Sequence, residues 1–316
     1  MPRLSQLIEA WGQAMEEALQ EDIFQYDPEF TERIVNLMEV YGRYFDSEVR
    51  GSERFPESGP VLVVGNHSGL NSEPDTPALM TAWYRKRGFE QPLTVLSFDP
   101  IFAIPKAKDF FRRLGQVPAS AGNAEAVLAS GASVLVYPGG GYEIARPWTE
   151  RNKVCLAGRK GFIKLALRTG APVVPVVGHG GHSTSIVLTR GEGIAKALGL
   201  NKLRFDVMPV AFALPWGVVL GPIPALLPLP AKVTVQVCEP LDWSHLGPED
   251  ADNPDVLEQC YREVETIMQQ TLDALVEENP FPLARRLGKL LRKRPYRSPA
   301  TNQRNPAMTD FERTRR

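Results

Sequence analysis

The segment VVGNHSGLNSEPDTPALM, residues 63–80, holds a histidine and an aspartate where proton transfer is feasible. Four apolar residues, Val61 to Val64, run into Gly65, and Asn66 and His67 follow at once. A polar, turn-rich stretch then ends at Asp75, where a helix-like run opens with Thr76-Pro77-Ala78. A neutral imidazole takes a proton from a hydroxyl near pH 7 when a partner fixes its tautomer and stabilises the cation that forms. Asp75 is the candidate partner. It stands at a helix N-cap, and the seven residues between it and His67 leave room for a loop to fold back. Taken alone, the pair also reads as a helix cap and a hydrogen-bonded turn histidine.

Two further clusters change the balance. In VLVYPGGGYEIARPW, residues 134–148, a strand-like run again ends in glycines. Gly139, Gly140 and Gly141 allow backbone N–H groups to approach a ligand closely, and such groups stabilise an oxyanion without a charged side chain. Glu143 and Arg146 follow at a spacing that suits a pair at the rim of a site; the plainer alternative is a tight turn with an exposed ion pair. In GRKGFIKLALRTGAPVVPVVGHGGHS, residues 158–183, Arg159 and Lys160 precede a helix and a buried strand. They suit an anionic substrate group or a solvated surface equally, as do Arg112 and Arg113 in KAKDFFRRLGQVPAS.

The elements that must position these residues alternate. Strands are expected at 60–65, 93–97, 133–137, 172–177, 205–211 and 232–238, with helices at 77–88, 105–114, 122–130 and 158–169. Short apolar strands separated by helices indicate an α/β layer with a mainly parallel sheet, whose ligands sit at the carboxyl ends of strands. His67, the glycines after Tyr137 and His179 all follow strands directly. Helices are expected at both ends. Leu4, Leu7, Ile8, Trp11 and Met15 share one face of a first, and Phe30, Ile34, Leu37, Met38, Tyr41 and Phe45 one face of a second. Residues 254–278 form another. Residues 283–294 place Leu283, Leu287, Leu290 and Leu291 on one side and basic residues on the other. The expected organisation is helical additions over 1–54, an α/β domain over 55–245, C-terminal helices over 246–294 and a basic, disordered tail over 295–316.

In this order the clusters resemble the glycerolipid acyltransferase superfamily over roughly residues 55–245. Asn66-His67-Ser68-Gly69 ending at Asp75 looks like the family's first motif. PIFAIPKAKDFFRRLGQVPAS, residues 100–120, looks like the second, YPGGGYE, residues 137–143, the third, and GAPVVPVV, residues 170–177, the fourth. RKGFIKLALRTGAPVVPV is similar to the diacylglycerol-acyltransferase-like branch. The resemblance implies an acyl-CoA-dependent O-acyltransferase without cofactor or metal, with acyl-CoA as co-substrate. His67 would be general base and Asp75 its orienting partner, and the glycine turn would be a candidate oxyanion site. Arg112, Arg113, Gly139 to Gly141, Glu143, Arg146 and Lys160 would be candidate substrate contacts. Two departures bear on this. The family's usual His–Asp spacing is four residues and here it is seven, with Glu73 as a rival carboxylate. The Glu and Arg of the phosphate-acceptor branch are out of register here. A fixed guanidinium suits phosphate, so its absence favours a neutral lipid or glycolipid acceptor over a lysophospholipid or glycerol-phosphate.

Composition sets the remaining bounds. Hydrophobic content is 43% and charged content 23%, ordinary for a globular protein. Net charge is −1, so no global field argues for nucleic acid. Residues 285–316 nevertheless hold eleven Lys or Arg against two acids. Three widely spaced cysteines without a CxxC pair fit a reducing compartment, and MPRLSQLIEAWGQAMEE does not read as a secretory signal. Val207 to Ala231 carries no charge over 25 residues but contains six prolines, which argues against a lipid-exposed spanning helix. It reads as a buried strand and loop, or as a shallow apolar surface touching lipid. The expected location is therefore cytoplasmic and peripheral, on a membrane face. Two rivals stand beside the enzyme reading: a catalytically inactive lipid-binding protein of the same fold, and a metallophosphoesterase suggested by Gly65-Asn66-His67 and Gly178-His179-Gly180-Gly181-His182. A two-metal site needs more carboxylate and imidazole ligands than four histidines and this pattern provide. Oligomeric state is not legible.

Overall fold

The computed structural model describes residues 12–13 and 22–292, apart from Arg204, Pro215 and residues 222–227. Most of the expected first helix and the whole 295–316 tail lie outside these residues. Helix α1 (Pro28–Phe45) is capped by Asp27, whose carboxylate accepts from Phe30 N–H. Strand β1 (Glu48–Arg50), strand β2 (Leu62–Gly65) and helix α2 (Asp75–Arg87) follow. Next come β3 (Leu93–Ser97), α3 (Pro105–Arg113), β4 (Gln116–Pro118), α4 (Ala121–Ala129) and β5 (Ser133–Val136). The short α5 (Gly140–Ile144) opens on the glycines, and α6 (Gly161–Thr169) leads into β6 (Val173–His179). Then come β7 (Ile186–Thr189), α7 (Glu192–Ala197), β8 (Val210–Ala213) and β9 (Gly217–Leu220). The chain continues with β10 (Thr234–Val237), the 25-residue α8 (Pro254–Glu278) and α9 (Pro282–Arg292).

Seven strands form one sheet in the order β1-β10-β6-β2-β5-β3-β4. Only the β10–β6 pairing is antiparallel, so the mainly parallel α/β architecture expected from the alternation is present. Successive side chains on a strand face opposite sides. Leu62 and Val64 enter a core with α4, α6 and α8. Val61 and Val63 enter another with α1 and α2, around the fully buried Trp83. Each buried Val or Leu contributes roughly 1.5–3 kcal/mol relative to exposure, so helices on both faces are what make the sheet stable. The expected limits of the α/β domain do not coincide with the edges of this sheet. β1 lies before residue 55 and pairs with β10, and Leu257, Val264, Met268 and Leu272 of α8 share the core of β2 and β6.

β6, β2 and β5 are adjacent and mutually parallel. Their carboxyl ends therefore open at one edge, and the loops after them carry His67, the glycine turn and the GHGGHS segment. Over this edge sits a second sheet, β7-β8-β9. The expected strand at 205–211 is displaced: residues 205–209 are irregular and β8 begins at Val210. Gly217, at φ 78°, lets the chain reverse, so part of the charge-free segment is a β8–β9 hairpin. Its inner side chains, Ala211, Ala213 and Val219, pack with Val187, Ala145 and Leu70, the last from the loop that follows His67.

Candidate active site

Asn66 anchors the loop after β2. Its side-chain amide donates to Gly178 O at 3.0 Å, and Gly178 N–H donates back to Asn66 Oδ1 at 2.6 Å. The His67 ring lies flat on Tyr137, with centroids 4.3 Å apart and planes 10° from parallel. Gly65 permits this, because a Cβ there would meet the Tyr137 ring at 2.5 Å. Tyr137 Oη is itself hydrogen-bonded to Thr76 Oγ1 at 2.7 Å. Beyond His67 the loop is tightly bent, with Leu70 and Glu73 at φ 49° and 32°. Non-glycine residues hold such conformations only when their surroundings fix them. Here Leu70 is buried under the small sheet, and Ser72 is held from α1 by Tyr41 Oη on its carbonyl.

Asp75 is buried at the start of α2, as expected, but it does not cap that helix with its side chain. One carboxylate oxygen, Oδ2, accepts from Ser68 Oγ at 3.1 Å, and Oδ1 has no hydrogen-bond partner. His67 Nδ1 is likewise buried without a partner. Glu73, the rival carboxylate, places Oε2 3.8 Å from His67 Nε2, beyond hydrogen-bond reach. Gly178 and Gly181 let β6 and its exit loop close on this group: a Cβ at either would press on Asp75 or Ser68.

Electrostatics follow from burial. Desolvation, then the Arg146 charge, lowers His67 to about 3, so its ring is neutral at physiological pH. Desolvation, against the Ser68 hydrogen bond, raises Asp75 to about 7. Desolvation and the Asp75 charge push Glu73 upward; its side chain is 41% exposed, so solvent opposes that push. Among the described residues no hydrogen bond joins His67 to Asp75; what burial supplies is a neutral imidazole and, on the same loop closure, a carboxyl raised toward neutrality, the protonation states that proton transfer near pH 7 requires.

Glu143 and Arg146 are not at a rim. Both are at most 1% exposed and lie beneath the His67 loop. Glu143 accepts from His67 N–H at 2.9 Å, Cys155 N–H at 3.0 Å and Arg146 at 3.1 Å. Arg146 also donates to His182 Nε2 at 3.2 Å and reaches His67 O at 3.5 Å. The pair is therefore not at the rim that the spacing suggested, because both side chains are buried and their polar atoms are taken up by protein groups. Of the three glycines, Gly140 directs its N–H to Tyr137 O, closing the turn. Gly139 has Cys155 O and the Glu143 side chain where a Cβ would be. The turn is thus built for close approach.

The other candidate cations are occupied away from His67. Arg112 is buried and donates to Asp22 O, and Arg113 pairs with Asp27 and stacks over Phe30, so both tie down the segment before α1. Lys160 pairs with Glu258 of α8 at 2.7 Å. Arg159 donates to Pro138 O at the glycine turn. Four partners went unassigned from sequence: Asn66, Ser68, Tyr137 and His182. Their signals were adjacency to His67, the YPGGG turn and the GHGGHS segment. His179 is bonded to Asn279 O, and among the described residues no three His, Cys, Asp or Glu side chains group as metal ligands. A separate groove of about 430 Å3, lined by Arg54, Glu239 and Glu263, includes no residue of the His67 cluster.

A family model described as acyltransferase matches residues 46–178. An uncharacterized protein of Mycobacterium tuberculosis is 32% identical over 257 residues, covering 81% of this chain and 69% of that one. Phytyl ester synthase 2, chloroplastic, of Arabidopsis thaliana is 36% identical over 130 residues, 40% of this chain and 18% of its own length. Diacylglycerol O-acyltransferase 2B of Umbelopsis ramanniana is 38% identical over 91 residues, 28% of this chain and 26% of its own.

Proposed function

This chain belongs to the glycerolipid acyltransferase superfamily, and we propose that it moves a fatty acyl group from acyl-CoA to the hydroxyl of a neutral lipid alcohol, with His67 as general base. The acceptor hydroxyl attacks the thioester carbonyl as His67 Nε2 removes its proton. The tetrahedral oxyanion forms beside the glycine turn. Its collapse releases CoA thiolate, which takes the proton back from His67 and leaves an ester and free CoA. One observation carries the choice of acceptor: Arg146, the guanidinium that follows the glycine turn in the chain, is buried and committed to Glu143, His182 and the His67 carbonyl rather than held out for a phosphate. Two relatives bear names for phytyl ester synthesis and for diacylglycerol acylation, which supports the same reading. The test is CoA release by the purified protein with long-chain acyl-CoA and a panel of acceptors. A long-chain alcohol or diacylglycerol is expected to exceed lysophosphatidate and glycerol 3-phosphate by about tenfold or more in kcat/KM. A preference for the phosphorylated acceptors would overturn the acceptor assignment. Absence of transfer from both acyl-CoA and an acyl carrier protein thioester would favour the inactive lipid-binding reading.

The same reading places the protein on a membrane face without crossing it. Among the described residues no helix is long and apolar enough to span a bilayer. The outer face of the small sheet, over the loop after His67, exposes Leu188, Phe212, Val218 and Leu220. An exposed apolar edge strand is an aggregation liability unless something covers it. Helix α9 docks through its basic side, Arg286 donating to the carbonyls of Arg43 and Tyr44 and Lys289 pairing with Asp46, and this leaves Leu287, Leu290 and Leu291 exposed. Co-sedimentation with anionic vesicles should weaken by about tenfold in Val218→Thr/Leu220→Thr, which removes apolar area while leaving strand-compatible β-branched residues at both positions. Unchanged binding of that variant would remove the hairpin from the contact.

A further inference from the structure

The Glu143–Arg146 pair is buried beneath the His67 loop and spends its polar atoms within the protein. We infer that Glu143 and Arg146, backed by His182, are positioning residues that hold the His67 peptide at both its N–H and its C=O and thereby fix the general base. This rests on the assignment of His67 as base, and it is carried by geometry. His67 N–H donates to Glu143 Oε2 at 2.9 Å, and His67 O lies 3.5 Å from an Arg146 nitrogen. The two clamping groups are joined to each other at 3.1 Å. Glu143 is further held by Cys155 N–H. Arg146 Nε–H donates to His182 Nε2 at 3.2 Å, which puts the His182 proton on Nδ1. His182 is buried in the loop after β6. The pair therefore ties together the exits of β2, β5 and β6, the three adjacent strands that meet at the site.

With its peptide held on both sides and its ring laid on Tyr137, His67 has few remaining degrees of freedom. A displacement of about 1 Å at a reacting group costs about 100-fold in rate, so a clamp of this kind acts on kcat rather than on substrate affinity. Buried ion pairs are weak sources of net stability, because desolvation offsets their attraction. That makes a fixed geometry at His67 a more direct account of this pair than stability alone. The charged and titratable groups packed around the His67 loop are Glu73 within it, Asp75 of α2 through Ser68, Tyr137 after β5, Glu143 in α5 and Arg146 just after it, and His182 after β6. Arg146 is the cation among them.

The test uses the full chain with Glu143→Asp, which keeps the charge but shortens the reach, Arg146→Gln, and the conservative Arg146→Lys. Met268→Ala, in the core between the sheet and α8, is the control matched for stability. Two readouts are taken: steady-state kinetics, and titration of the His67 ring by nitrogen NMR in 15N-histidine-labelled protein. Glu143→Asp and Arg146→Gln should lower kcat by about 10- to 100-fold with KM for both substrates within about twofold. Arg146→Lys should recover part of that loss, and the control should keep kcat. Arg146→Gln should also move the His67 titration upward by about one pH unit, as loss of a neighbouring cation does. Folded variants with wild-type kcat, a loss confined to KM for the lipid acceptor, or an unmoved His67 titration would overturn the inference. If the wild-type protein transfers no acyl group, the function assignment fails by itself, and the NMR titration still decides the clamp. Should Arg146→Gln not fold, the titration in Glu143→Asp decides it: a His67 resonance identical to wild type overturns the clamp.

Discussion

His67→Ala should lower acyl transfer by about 100- to 10,000-fold, the range over which general acid–base groups contribute, while leaving the fold nearly as stable as before. Proton removal is the one step in the proposed chemistry that no neighbour can take over. Glu73 lies 3.8 Å from His67 Nε2 and is partly exposed, and Asp75 is held by Ser68. The stability expectation comes from opposing terms. Removing the ring ends its stacking on Tyr137, which costs about 0.5–1.5 kcal/mol. It also removes a buried Nδ1 without a hydrogen-bond partner, a group whose desolvation opposes folding by about 1–3 kcal/mol. The main-chain contacts from Glu143 and Arg146 do not depend on the side chain. The terms nearly cancel, and for a chain of this size the melting temperature should move by less than about 3 °C. CoA release and a thermal melt on the same preparation check both parts. A folded His67→Ala protein retaining more than about a tenth of wild-type activity would remove His67 from the chemistry.

What made this site readable in the sequence is that its residues stand at strand exits. The apolar runs ending at Gly65, Tyr137 and His179 mark β2, β5 and β6 within a few residues. A parallel sheet then leaves few places for the following residues to go. The positions of Glu143 and Arg146 were not readable. They follow a turn through Gly140, at φ 49°, and that backbone decides which way the short helix faces. Local spacing shows that the two can pair, but not that the pair points inward. Arg112 was ambiguous for another reason: its carbonyl partner, Asp22, is 90 residues away in sequence. The edge strands escaped as well. Glu48-Val49-Arg50 has no apolar period, and its strand state comes from pairing with Thr234 to Gln236. The charge-free segment after Val207 declared an apolar surface, but only the reversal at Gly217 divides it into an inner row on the His67 loop and an outer row facing out.

Asp75→Asn should separate activity from stability. His67 is pressed down to about 3 by burial and then by Arg146, and a base that weak needs a carboxylate to stabilise its imidazolium. In the proposed mechanism His67 Nδ1 and Asp75 Oδ1, each buried and without a hydrogen-bond partner in this structure, are the atoms that would meet as the imidazolium forms. Nε2, on the side of the more exposed Glu73, is left for the acceptor hydroxyl. Asn cannot oppose the imidazolium charge, so kcat should fall by about 100- to 10,000-fold. The amide oxygen still accepts from Ser68, so the loop stays closed. Stability should move the other way above neutrality. Burial raises Asp75 from 3.8 to about 7 in the folded protein, so its contribution is fully present below about pH 4 and is lost as pH rises through about 7. Asn has no proton to lose. At pH 8 the variant should therefore melt as high as wild type or a few degrees above it, with the advantage gone at pH 4. In the wild type, kcat/KM should rise with pH through about 7 as Asp75 ionises; in Asp75→Asn that rise should be absent. Glu73→Gln should keep most of the activity, because its carboxylate is partly solvated and beyond hydrogen-bond distance of the ring. The opposite outcome, an inactive Glu73→Gln beside a fully active Asp75→Asn, would transfer the orienting role to Glu73.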